Sequence, residues 1–351
     1  MSISAFGKRR SRRGLPSAPS AGVAGPLLLD GGVGHEWKRR HGDESFLGGC
    51  LACGRDPAGV TAVHAAFFDA GAALATTNSF VATPHHVRRE AAGGEDYVAL
   101  ARAAARCALA AKRGGDGRLV AGSLPPLGEC YAARGGERSS SSDDERVYEA
   151  LATALADEGV DVLLAETLSS SAEAVAALRG AAFPEAPPVW CCLTLADDAS
   201  ARLRSGEALG DALRVVVAAA RDAAGARLEG IGVNCCSPAA VDAALPVVAA
   251  AAAAAGGLEV VVYANAFQGT TSAWLASVGR PDCCAGPGAL HDAADYDDDG
   301  VMTPGAYAAR CVAWRDAGAT VIGGCCGVTP SHVRAVRDAL ADEAIVVKLP
   351  T

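Results

Sequence analysis

The sequence lacks several features that would assign a class at once. It has no uninterrupted apolar run of about eighteen residues, the length a membrane-crossing helix needs. The nearest approach, Ala239–Ala255, is mostly alanine and is broken by Asp242 and Pro246, so it reads as a helix of a soluble domain. No apolar signal segment opens the chain. Positive charge is not in excess: 31 Lys and Arg against 40 Asp and Glu leave a net charge of -9, which argues against nucleic acid as the main partner. A dinucleotide fingerprint is missing, because Asp30-Gly31-Gly32-Val33-Gly34 has the glycines without the G-x-G-x-x-G spacing. Cys50-Leu51-Ala52-Cys53 imitates one half of a zinc knuckle, and no matching half follows, so it reads as structural. Asp295-Tyr296-Asp297-Asp298-Asp299-Gly300 starts like a calcium loop, yet the twelfth position is Ala306 and Pro304 falls inside it. An acidic loop followed by a Thr303-Pro304 helix start is the better reading.

Cysteine, by contrast, is plentiful. Thirteen occur in 351 residues, an odd number without the spacing of a small secreted framework. That pattern indicates reduced thiols in a reducing compartment, and the cytoplasm is the expected location. Four adjacent pairs stand out: Cys191-Cys192, Cys235-Cys236, Cys283-Cys284 and Cys325-Cys326. Residues 1–25 carry Lys8, Arg9, Arg10, Arg12 and Arg13, several serines and no acid. They read as a disordered basic tail or an organelle-targeting segment, outside a single folded domain at 26–345.

From residue 26 the chain alternates. Short apolar runs at 26–29, 73–77, 119–123, 160–165, 189–194, 230–233, 258–263 and 319–324 are each followed by a helical stretch, while 42–57 reads as a loop. Near-continuous apolar strands alternating with helices indicate a parallel sheet. Eight such units predict a closed (β/α)8 barrel of the TIM type, with a doubly wound open sheet as the alternative. In a barrel the carboxyl ends of the strands share one mouth. Asp30, Asn78, Glu166, Cys235 and the Cys325-Cys326 pair all fall at such ends, so residues some 300 positions apart are expected to converge.

Three thiols in that set call for an explanation. Zinc favours thiolate sulfur, and a catalytic zinc keeps one of its four positions open. Cys235, Cys325 and Cys326 would supply three ligands, leaving the fourth for a soft ligand such as a substrate thiol. A metal holds such a thiol deprotonated at neutral pH, ready to attack an electrophilic methyl group. Cys236 is the rival for Cys235, but Ser237-Pro238 behind it looks like a helix cap and first residue. Cys191 and Cys192 lie mid-strand and read as packing. Cys283 and Cys284 fall in a loop between the seventh strand and its helix, where a secondary or accidental site is not expected.

These segments resemble a known family. Leu28-Leu29-Asp30-Gly31-Gly32, Thr76-Thr77-Asn78-Ser79-Phe80, Glu166-Thr167, Gly232-Val233-Asn234-Cys235-Cys236-Ser237-Pro238 and Gly323-Gly324-Cys325-Cys326-Gly327-Val328-Thr329-Pro330 are similar to those of the homocysteine S-methyltransferases, in the same order. The G-V-N-C and G-G-C-C pair is the specific part. The resemblance implies a (β/α)8 barrel with Zn2+ on Cys235, Cys325 and Cys326, homocysteine as the thiol substrate and methionine as product. It implies that the Asp30-Gly31-Gly32 turn holds the amino acid part of homocysteine, its N–H groups taking the carboxylate. Glu166 would face the substrate ammonium, and Thr77 and Asn78 would line the pocket. The chain departs from the family at Phe46, where many members have tryptophan near the donor side, and at Val33-Gly34-His35. His35 reads equally as a solvated helix residue or a ligand. Little sequence follows the eighth helix, so a folate or cobalamin module is not expected. A small free donor is expected instead, S-methylmethionine or S-adenosylmethionine being favoured over a betaine-like compound. Partners are then small molecules, without nucleic acid or membrane. The rival readings are a family member acting on another thiol and a non-catalytic barrel that binds metal through its cysteines.

Overall fold

The computed structural model of the chain describes residues 25–42, 48–90, 94–112, 117–128, 142–223, 225–267 and 295–346. The segments at 26–29 and onward do become strands: β1 (Leu27–Leu28), β2 (Leu74–Thr76), β3 (Leu119–Leu124), β4 (Val162–Leu168), β5 (Val189–Leu193), β6 (Leu228–Asn234), β7 (Glu259–Ala264) and β8 (Val321–Gly324). They pair in parallel in the order β1-β8-β7-β6-β5-β4-β3-β2. A parallel bridge between Leu29 and Leu74 joins the two ends, with Asp30 N–H donating to Leu74 C=O at 3.0 Å and Ala73 N–H to Leu28 C=O at 2.8 Å. The sheet is therefore a (β/α)8 barrel in a single domain, and all its strand ends open on one mouth.

Around it lie α1 (Val33–His41), α2 (Gly48–Arg55), α3 (Pro57–Ala70), α4 (Pro84–Glu90), α5 (Tyr97–Ala111), α6 (Ser142–Glu158), α7 (Ser171–Gly180), α8 (Leu209–Asp222), α9 (Pro238–Ala254), α10 (Pro304–Asp316) and α11 (Pro330–Val346). Several starts are written in the sequence. Asp56, Ser237 and Thr303 each precede a proline at the first helical position and accept an N–H from the residue three further on. Each cap is worth roughly 1 kcal/mol.

The strands are apolar on both faces because both are covered. One face packs on the helices; the other fills the barrel with Leu29, Leu74, Leu164, Trp190, Val261 and Tyr263 among others. The two aromatic rings need small neighbours. A Cβ on Gly230 would lie 2.7 Å from Cδ1 of Trp190, so glycine there is what lets the indole occupy the centre.

Three departures from the sequence reading have physical causes. The 42–57 loop contains α2, whose glycine-rich sequence has poor helix propensity. Burial of Cys50 and Cys53 on one helical face against α5 outweighs it. Helix α4, only 7 residues long, was not anticipated. Strand β4 runs on to Leu168, past its expected end at Ala165, through a register shift between Ala165 and Leu168. The calcium-like stretch closes on itself: Asp297 Oδ1 accepts the N–H groups of Asp299 and Val301, and Thr303 caps α10. Phe46, Cys283, Cys284 and residues 1–24 of the basic segment lie outside the described residues. Among the described residues, no helix is long and apolar enough to cross a membrane.

Candidate metal and substrate site

Three thiols meet at the mouth. Cys235 follows β6, and Cys325 and Cys326 follow β8. The Sγ atoms of Cys325 and Cys235 are 3.0 Å apart, those of Cys325 and Cys326 4.0 Å, and all three lie within 4.8 Å of one another. Strand alternation would turn the residue after Asn234 toward the helices. Cys235 instead takes a left-handed conformation, φ +51°, uncommon for a side chain with a Cβ. Its N–H donates to Tyr263 C=O at 3.0 Å and its C=O accepts the Thr194 hydroxyl at 3.2 Å, which fix the turn. Cys236 goes the other way, into the helix-side core, where burial pushes its thiol far up. Asn265 is the hub between the two turns: its Oδ1 lies 3.4 Å from Cys235 Sγ and accepts the Cys326 N–H at 3.2 Å. Proton sharing splits the thiols. Cys325 is held up by its bonds to Cys235 and Cys326, whereas bonds from Cys235 and Cys325 draw Cys326 down.

Two carboxyls share the mouth. Glu166 lies within β4 at the register shift, next to Thr167, whose φ of +60° is rare for a β-branched residue. Asn234 braces this bulge from β6, accepting the Thr167 N–H and donating to its hydroxyl, both at 2.8 Å. The bulge aims Glu166 inward, where Ser123 Oγ donates to Oε1 at 2.5 Å and Tyr263 OH to Oε2 at 3.1 Å. Burial still pushes its pKa up to about 7, and the nearby Cys235 adds to the rise. Asp30 is also raised, chiefly by burial, with Glu166 contributing; the Thr76 N–H bonded to its Oδ2 at 2.9 Å works against this. Two mutually repelling buried carboxyls form a site that an incoming cation would stabilise.

The remaining predicted residues are arranged differently from one another. Gly31 and Gly32 are required by close approach: a Cβ on Gly31 would lie 2.5 Å from Val328 O, and one on Gly32 2.9 Å from Cys325 O. Gly32 N–H donates to Val328 C=O and Val33 N–H to Gly31 C=O, so these two donors are already engaged rather than open to a carboxylate. Thr77 Oγ1 accepts the Ser123 N–H and pairs with Ser79. Asn78 donates to Gly49 C=O at 2.6 Å and ties β2 to α2. Both polar ends are thus engaged with neighbouring elements, β3 and α2. Ser123, Asn234 and Tyr263 were missed by sequence reasoning. Their signal is parity: Ser123 and Tyr263 lie two residues on from Ala121 and Val261, which fill the barrel, and Asn234 pairs with Tyr263.

The family model described as homocysteine S-methyltransferase matches residues 27–340. The chain belongs to the homocysteine S-methyltransferase family. It is accordingly an enzyme, a methyltransferase. The homocysteine S-methyltransferase of Escherichia coli K12 is 30% identical over 330 residues, covering 89% of this chain and 94% of that one. Homocysteine S-methyltransferase 4 of Zea mays is 26% identical and covers 91% of each. In structure, the barrel superposes on the metallated form of the homocysteine methyltransferase MmuM from Escherichia coli with a TM-score of 0.67 at 24% identity, covering 90% of this chain and 96% of that one.

Proposed function

We propose that the chain is a zinc-dependent methyltransferase that moves a methyl group from a sulfonium donor, S-methylmethionine or S-adenosylmethionine, to the thiol of homocysteine. The observation that carries this reading is the thiol triad. Tetrahedral zinc with Zn–S bonds near 2.3 Å spaces its sulfurs ~3.8 Å apart. The separations of 3.0 and 4.0 Å bracket that value, and the set is three sulfurs, which leaves one position for a fourth. Among the described residues this is the single cluster of three or more His, Cys, Asp or Glu with metal-like spacing, which favours one catalytic ion over storage.

When bound, zinc supplies Lewis acidity that lowers the pKa of a substrate thiol from its usual ~8.5. The chain does the rest. Cys235, Cys325 and Cys326 hold the ion, and Asn265 fixes two of them relative to each other. Glu166, oriented by Ser123 and Tyr263, faces the substrate ammonium, which favours the carboxylate form that burial opposes. Asp30 adds a second acceptor, and the Asp30-Gly31-Gly32 turn, with Thr77 and Asn78, shapes the wall around the amino acid part. No general base is needed once the thiol is deprotonated.

The test is a panel of donors and thiols scored by methylated product, with and without added zinc. The proposal expects methionine from homocysteine with a sulfonium donor, abolished by a chelator and restored by zinc. Methyl transfer untouched by chelation would overturn the zinc role. Preference for another thiol would move the enzyme elsewhere in substrate space.

A further inference from the structure

The turn bearing Cys325 and Cys326 is held at successive peptides. Cys325 N–H donates to Ala264 C=O at 2.8 Å, Cys326 N–H to Asn265 Oδ1 at 3.2 Å, and Val328 N–H to Cys325 C=O at 3.2 Å. The peptide between Cys326 and Gly327 is held at both ends. Its carbonyl accepts the Ala266 N–H at 2.9 Å, and its N–H donates to Nδ1 of His35 at 3.3 Å. His35 comes from the first turn of α1, directly after the Asp30-Gly31-Gly32 turn. It is therefore a half-buried, hydrogen-bonded residue and not a member of the thiol cluster.

Main-chain bonds join the same two turns: Gly324 N–H to Asp30 C=O at 2.9 Å and Gly32 N–H to Val328 C=O at 3.1 Å. The contact is tight enough that a Cβ on Gly32 would meet both Cys325 O and the Cβ of His35, the latter at 3.2 Å. His35 is the side chain that completes this seam beside the sulfurs. An imidazole accepting at Nδ1 carries its proton on Nε2, so the bond also selects one tautomer.

We propose that His35 is a positioning residue for the metal turn: by accepting the Gly327 N–H it sets the Cys326–Gly327 peptide and so the place of the Cys326 sulfur. The inference rests on the reading that the triad holds zinc. Partners one step removed from a metal orient its ligands, and losing one commonly weakens binding 10- to 100-fold. Asn265 performs that task from the β7 side, and His35 performs it from α1.

The test uses the full chain, its zinc affinity measured by competition with a chromophoric chelator and its geometry by the visible spectrum of the cobalt-substituted protein. His35→Leu removes the acceptor at similar bulk and is expected to weaken zinc by about tenfold or more and to alter the cobalt spectrum. His35→Asn, whose side-chain oxygen can stand where Nδ1 stands, is expected to stay within about threefold of wild type. Wild-type affinity and spectrum in His35→Leu would overturn the proposal, as would His35→Asn falling as far as His35→Leu. A measurement needing no variant is the scalar coupling between the Gly327 amide nitrogen and His35 Nδ1 in nitrogen-labelled protein. Its presence supports the bond and its absence refutes it. A wild-type chain that bound no zinc would instead overturn the metal reading, and this inference with it.

Discussion

Replacing Asn234 with alanine tests whether the β4 bulge is what aims Glu166. The side chain makes two buried hydrogen bonds to Thr167, each at 2.8 Å, and both are lost on truncation. A buried N–H left without a partner costs about 1–3 kcal/mol. Thr167 at φ +60° also loses the brace that offsets its backbone strain. Because strain of that kind persists only where its surroundings hold it, the loop should relax and recover part of the cost, for a net loss of about 2–4 kcal/mol. Glu166 is the adjacent residue, so relaxation should swing its carboxylate away from Ser123 and Tyr263. Equilibrium urea unfolding reads the first effect, and steady-state kinetics with homocysteine read the second. KM is expected to rise about tenfold or more with a smaller change in kcat, since uniform binding is what is removed. A stability loss below about 0.5 kcal/mol together with an unchanged KM would refute the reasoning.

Other outcomes follow from single residues. His64 is fully buried on α3 with neither ring nitrogen hydrogen-bonded, and burial lowers its pKa from 6.5 to about 4. The unfolded chain therefore binds the extra proton between those values; stability should fall as pH drops from 6.5 through 4, by about 3 kcal/mol in full, and His64→Leu should flatten that slope in the difference curve. Glu166 has the opposite sign in the metal-free, substrate-free chain. Its folded pKa is raised from 4.5 to about 7, so its contribution is present below 4.5 and lost as pH rises through 7. Glu166→Gln should accordingly gain about 3 kcal/mol on wild type across that window in pH-dependent unfolding. Gly230→Ala places a methyl 2.7 Å from the Trp190 ring and should cost about 1–3 kcal/mol by overpacking, visible as a lowered urea midpoint with unchanged slope.

Much of the barrel was legible because each strand is a short apolar run followed by a helical stretch, and that signal needs no tertiary information. Thr303-Pro304 and Ser237-Pro238 carry their helix starts in two letters. What was hidden depends on contacts between strands far apart in sequence. The extension of β4 and its bulge are set by Asn234, which lies 67 residues away from Thr167. Helix α2 forms because Cys50 and Cys53 find a buried face on α5, against the propensity of their glycine neighbours. The meeting of Asp30, Glu166 and the thiols follows from strand ends sharing a mouth, so the (β/α)8 pattern alone suffices to place them near one another. Orientation is different. Thr77 and Asn78 stand at the right strand end, yet β3 and α2 take up their polar atoms. Gly31 and Gly32 look like anion-binding glycines but are needed for contact with the β8 turn. Ser123 and Tyr263 matter only through Glu166, a relation that register reveals and residue type does not.

The most direct measurement is X-ray absorption at the zinc edge of the loaded chain, before and after homocysteine is added. The account predicts three sulfur neighbours at ~2.3 Å from Cys235, Cys325 and Cys326, becoming four when homocysteine is present. Fewer than three sulfurs in the resting protein, or a sulfur count that does not rise with homocysteine, would contradict it.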